Sequence, residues 1–110
     1  MPELDAKALG AALAARRVRA KLSQEEVAER LGIGQEAVSR LERGVVVPSL
    51  QRLFEFAHAY GCGVDEFILP TSVLPTDQAV WLSKRLGALR PGDRELVMDM
   101  VEKICERLQR

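Results

Sequence analysis

The segment Leu22–Gly44, LSQEEVAERLGIGQEAVSRLERG, constrains this chain more than any other stretch. Ser23 followed three residues later by Glu26 makes a capping box, in which each side chain satisfies a backbone N–H of the other residue. A short helix therefore begins after Ser23 and turns Val27, Ala28 and Leu31 inward. Gly32 ends it, because a tight turn needs a residue at ease in left-handed backbone geometry. Gly34 can cap a second short helix, from about Gln35 to Arg43, which Gly44 closes. Its inward positions are Val38 and Leu41, and Ala28 is small where the two helices approach. One stripe is left facing outward: Gln35, Glu36, Ser39, Arg40 and Arg43. These side chains are long or hydroxylic and carry both donors and acceptors, the inventory needed to read base edges in a DNA major groove.

Proline and glycine punctuate the rest of the chain, among them Gly61, Gly63, Pro70, Pro75, Gly87 and Pro91. The intervals repeat at the helical period and none alternates as a strand, so the expected fold is all-α. A first helix runs from about Asp5 to Lys21, with Leu9, Leu13 and Val18 among alanines. Arg16, Arg17, Arg19 and Lys21 crowd its last turns, where cations suit the negative end of the helix dipole. Ser49 caps a fourth helix with the stripe Leu50, Leu53, Phe54, Ala57 and Tyr60, and a short fifth turn covers Val64 to Leu69. The stretch Pro70 to Pro75 is the one linker, dividing the chain into residues 1–70 and 71–110. Beyond it, one helix from about Thr76 to Leu86 carries Ala79, Leu82 and Leu86, with Leu89 next in the series. A second starts near Pro91, a residue suited to a first helical position, and carries Leu96, Val97, Met100, Val101, Ile104 and Leu108. The spacing of residues 97, 101, 104 and 108 resembles a coiled-coil seam. With aromatics at only 5%, the core is expected to be aliphatic.

Sixteen basic residues balance sixteen acidic ones, which argues against an extended, nonspecific nucleic-acid binder but says little about a local patch. Between residues 16 and 52, eight basic and five acidic residues leave a net charge of +3. Cys62 and Cys105 stand alone, without metal or disulfide spacing, so a reduced, cytoplasmic setting is expected. The opening MPELDAKALG has no apolar core of a secretory leader, and no apolar run is long enough to span a membrane. His58 has no second ligand nearby and reads as a surface residue. There is no P-loop, no Cys/His pair, no metal cluster and no Gly-rich phosphate cradle. No catalytic residue, cofactor or metal is expected.

The motifs Leu22-Ser23-Gln24, Val27-Ala28, Leu31-Gly32, Val38-Ser39, Leu41-Glu42-Arg43-Gly44 and Pro48-Ser49-Leu50, in this order and spacing, resemble the phage-repressor and Cro-like helix-turn-helix family, the xenobiotic-response-element type. The resemblance covers roughly residues 7 to 70. It implies a compact five-helix, repressor-like DNA-binding bundle and sequence-specific binding as a dimer. It places Gln35, Glu36, Ser39 and Arg40 in the major groove as base readers. It places Gln24, Arg43 and Ser49 on phosphates, and it makes Arg17 and Glu42 an internal ion pair. Two departures stand out. Val45-Val46-Val47 occupies a loop where the family commonly has Lys, Arg or Thr on phosphate, and Glu36 puts an acid into the reading stripe.

Residues 76–110 are too few to enclose a ligand pocket of the usual size. They are expected to form a helical hairpin that packs on its copy in another chain, with Trp81, Leu96, Val97, Met100, Val101, Ile104 and Leu108 at the dimer interface. Such a dimer sets two recognition helices roughly 34 Å apart, one turn of DNA. The reading is a homodimeric transcriptional repressor on double-stranded DNA. One alternative is an antitoxin that binds a partner toxin through the valine loop or the C-terminal helices and represses its own operon. Another is a helix-turn-helix adaptor that binds protein and no DNA.

Overall fold

A computed structural model describes residues 3–109, so Met1, Pro2 and Arg110 lie outside it. Among the described residues there are seven α-helices: α1 (Ala6–Arg19), α2 (Gln24–Leu31), α3 (Gln35–Glu42), α4 (Leu50–Tyr60), α5 (Asp65–Ile68), α6 (Pro75–Gly87) and α7 (Pro91–Leu108), with a 3-10 turn at Leu69–Thr71. The helix ends follow from local chemistry. Asp5 caps α1 by accepting from Ala8 N at 3.0 Å. The helix stops before Lys21, which takes a left-handed φ of 60° and turns the chain into α2. Both arms of the capping box are made: Glu26 N donates to Ser23 Oγ and Ser23 N to Glu26 Oε1, each at 3.0 Å. The Ser23 backbone N–H holds the Glu26 carboxyl below its ordinary range. Gly32 closes α2 at φ 69°, with Ile33 N returning to Ala28 O.

Helices α1 to α5 pack around one core. Leu9, Leu13, Val27, Ala28, Val38, Leu41, Leu53, Phe56, Ala57, Tyr60 and Phe67 are buried. The expectation of an aliphatic core is corrected here. Phe56, Tyr60 and Phe67 stand at the centre, with ring centroids 5.7 Å apart for Phe56–Tyr60 and 6.1 Å for Tyr60–Phe67, the latter pair edge-on. Three of the five aromatics meet there, while Phe54 is exposed and Trp81 lies on α6. The inward stripe of α4 is also corrected: it is Leu53, Phe56, Ala57 and Tyr60, while Leu50 and Phe54 are 63% and 55% exposed. Both stripes satisfy the helical period, and the site for the Phe56 ring between Tyr60 and its neighbours selects the rotation.

Gly10 and Gly44 set how closely α1 lies on α3. A Cβ at Gly10 would fall 2.5 Å from the carbonyl oxygens of both Leu41 and Glu42. A Cβ at Gly44, whose φ is 74°, would fall 2.7 Å from Lys7 Cα. Only glycine permits this backbone-to-backbone crossing.

The stretch read as a linker is ordered. After the 3-10 turn, Ser72 Oγ donates to Asp77 Oδ2 at 2.6 Å and accepts from Leu74 N at 3.2 Å. Helix α6 then lies against the turn and reaches α5 through the ion pairs Lys84–Asp65 and Arg85–Glu66, the latter at 3.8 Å. The expected hairpin does not close. Trp81 and Leu82, half-buried on the apolar side of α6, already share a cleft with Leu69 and Pro70 of the 3-10 turn. Ala79, placed on that stripe from the sequence, is exposed. Helix α7 packs along no other helix of the described residues, and only Val97 and Val101 on it are half-covered. Arg94 fixes the corner by donating from Nε and Nη2 to Leu89 O.

Candidate nucleic-acid interface

Helix α3 is amphipathic in the strict sense that its two faces have different jobs. Val38 is fully buried and Leu41 nearly so, which fixes the rotation of the helix about its axis. Gln35, Glu36, Arg40 and Arg43 are therefore exposed, and Ser39 is half-buried between them. The structure brings these five side chains onto one continuous surface.

Behind that surface sits a bidentate ion pair. Arg17 Nε donates to Glu42 Oε2 at 2.7 Å and Arg17 Nη2 to Glu42 Oε1 at 3.1 Å. Arg17 Nη1 also donates to Leu22 O at 2.9 Å. The Glu42 side chain is only 6% exposed. The hydrogen bond to Glu42 raises the Arg17 guanidinium above its already high value, so Arg17 stays charged. It ties α1, the turn into α2 and the end of α3 into one unit. Tyr60 is buried with no partner for its hydroxyl, and burial, reinforced by the Glu42 charge, pushes the phenol far up, so it stays neutral.

Gln24, expected on phosphate, is the first residue of α2. Its side-chain Nε2 donates to Glu42 Oε1 at 2.9 Å, which joins it to the ion pair and leaves its backbone N–H as the group available to an anion. Ser49 caps α4 by accepting from Arg52 N at 3.1 Å. Arg43 is turned back along its own helix, donating from Nη2 to Glu36 Oε1 at 3.1 Å and from Nε to Ser39 Oγ at 3.2 Å. Neither the Gln24–Glu42 bond nor the Arg43 contacts were foreseen. The second had a signal in the sequence, since residues 36, 39 and 43 recur at helical spacing on one stripe. Arg40 shares a cleft with Val46, Val47, Pro48 and Ser49, and Val45 and Val47 are more than half exposed.

In the C-terminal arm, Leu96, Met100, Ile104 and Leu108 are exposed and Val97 and Val101 half-buried. Trp81, expected between chains, is half-buried within its own, sharing a cleft with Leu69, Pro70 and Leu82 and with the Arg85 guanidinium 5.0 Å from its ring centroid. His58 is exposed. No group of metal-ligating side chains occurs among the described residues, and no helix is long and apolar enough to cross a membrane.

The helix-turn-helix family model HTH_3 matches residues 13–67, which take in the Arg17–Glu42 pair and the whole of α2 to α4. A relative from Sinorhizobium fredii (strain NBRC 101917 / NGR234), named as the uncharacterized HTH-type transcriptional regulator y4dJ, is 39% identical over 69 residues, covering 63% of this chain and 90% of the relative. Among solved structures, that of the clp gene regulator ClgR from C. glutamicum is similar with a TM-score of 0.58 and 32% identity, covering 64% of this chain and 91% of that one.

Proposed function

Because the chain belongs to the HTH_3 family of helix-turn-helix transcription regulators, the Cro/C1 and xenobiotic-response-element type that binds DNA, we propose that it acts as a homodimeric repressor on a two-fold symmetric operator. One observation carries this reading. The polar stripe of α3 is open to solvent while the opposite face of the same helix is locked into the core. Each protomer lays α3 in a major groove of double-stranded DNA. Arg40 pairs with guanine, Gln35 with adenine, and Glu36 accepts from the amino group of cytosine, with Ser39 beside them. Phosphates are held by the backbone N–H at Gln24, by the start of α4 at Ser49, and by Arg43. The exposed apolar side of α7, Leu96 to Leu108, supplies the contact with the second copy and spaces the two reading helices by roughly 34 Å. The site of action is the cytoplasm, and the reaction is binding alone.

Selection from a pool of random duplexes tests this. The expected outcome is enrichment of one site with two-fold symmetry. Enrichment of nothing, or of an asymmetric site, overturns the reading. Arg40→Ala is expected to weaken operator binding by about 1–3 kcal/mol and to relax preference at one base position per half-site. A loss uniform across sequences would instead make Arg40 a phosphate contact.

The exposed Val45–Val47 loop favours one second reading, in which the same DNA-binding protein also captures a partner such as a toxin. Co-purification of a second small protein, lost when Val45 and Val47 are changed to Ser, distinguishes it.

A further inference from the structure

Arg43 ends the outward stripe, and its guanidinium is folded back along α3. It spans two turns of α3 to reach Glu36 and touches Ser39 on the way. Both charged side chains are accessible, Arg43 at 57% and Glu36 at 76% exposure, so DNA can compete for either. Arg40, between them in sequence, makes no ion pair among the described residues.

Resting on the DNA reading above, we infer that Glu36 is a specificity-determining residue that acts through Arg43. It keeps Arg43 off the phosphates until the carboxylate is taken by the amino group of a cytosine. On a duplex without that cytosine there are two options, and both weaken binding. Arg43 can stay with Glu36 and forgo its phosphate, or it can leave and strand a carboxylate in the negative potential of the groove. On the operator, cytosine satisfies Glu36 and Arg43 is released at the same moment. A base contact and a phosphate contact are thereby coupled within one protomer. An exposed ion pair shifts such a balance by about two- to fivefold. Each further phosphate neutralised steepens the log–log salt dependence by about 0.9.

A double-mutant cycle tests the coupling. The full chain, Glu36→Gln, Arg43→Gln and the double variant are titrated against a scrambled duplex and the selected operator across a salt series. Both residues are exposed, and unchanged melting confirms that each variant folds. Glu36→Gln is expected to tighten scrambled-duplex binding about two- to fivefold per protomer and to steepen its salt slope by about 0.9 per protomer. With Gln at position 43, the same change is expected to tighten binding by clearly less, through relief of the stranded carboxylate alone, and to leave the salt slope where it was. An equal gain in the two backgrounds overturns the inference, because Glu36 then acts by direct repulsion of phosphates. No gain in either also overturns it. Failure of the unmodified chain to bind any duplex overturns the function proposed above, and the coupling falls with it.

Discussion

Helices α1 to α5 and the pair α6–α7 draw on similar side chains and do opposite things with them. Every buried apolar residue among the described ones lies between Leu9 and Phe67, and none lies in α6 or α7. In the bundle, residues of all five helices share one core, in which Phe56 and Phe67 are fully buried. In the arm, α6 leans on the bundle through Lys84–Asp65 and Arg85–Glu66, and α7 keeps Leu96, Met98, Met100, Ile104 and Leu108 in the open. Burying one such side chain is worth about 1.5–3 kcal/mol. The bundle has already collected that free energy in folding. The arm still holds it in reserve for assembly, which is why the proposed dimer contact belongs there.

Substitutions can test that contrast, beginning with the largest effect. Phe56→Ala empties the centre of the bundle and is expected to lower its stability by about 3–5 kcal/mol, read by urea denaturation of the full chain. Glu42→Ala strands Arg17 and leaves Gln24 without its partner, for an expected loss of about 3 kcal/mol in the same assay. Ile104→Asp is expected to change the unfolding of the bundle by about 0.5 kcal/mol or less, as surface changes do. The same variant is expected to sediment as a monomer. If Ile104→Asp unfolds the bundle, the two regions are one cooperative unit and the contrast fails. The smallest effect is acid-dependent. The folded-state value of Glu26 lies below its ordinary 4.5, so its contribution is present above that pH and is lost as the pH falls through the lowered value. Glu26→Gln is expected to flatten the decline of stability below about pH 5, measured by thermal melts across pH.

Much of the bundle was legible because its signals are local. The Ser23–Glu26 box, the left-handed Gly32 and Gly61, and the Ser49 cap each involve residues at most a few positions apart, and each appears as its residue types dictate. What depended on distant partners was harder to read. Phe54 and Phe56 both fit the helical period, and it is Phe56 that enters the core beside Tyr60 while Phe54 stays exposed. Gly10 looked like one small residue in an alanine-rich helix, but a carbonyl 31 residues away requires it. In the arm, apolar spacing was visible but its partner was not, since nothing in the residues of α7 says whether α6 or another chain should cover them. The reading stripe could be placed from the inward positions Val38 and Leu41. The side-chain bonds that tie Arg43 to Glu36 and Gln24 to Glu42 depend on rotamers, which spacing alone does not set.

The back of α3 is committed at Val38, Leu41 and Glu42, and the backbone of α1 is pressed against its end at Gly10 and Gly44. Its front is bound by nothing except itself. Residues 35, 36, 39, 40 and 43 can therefore be exchanged over many generations with little penalty in folding. On the proposed reading, a lineage built on this scaffold is free to change which DNA sites it addresses while the fold that carries α3 stays the same.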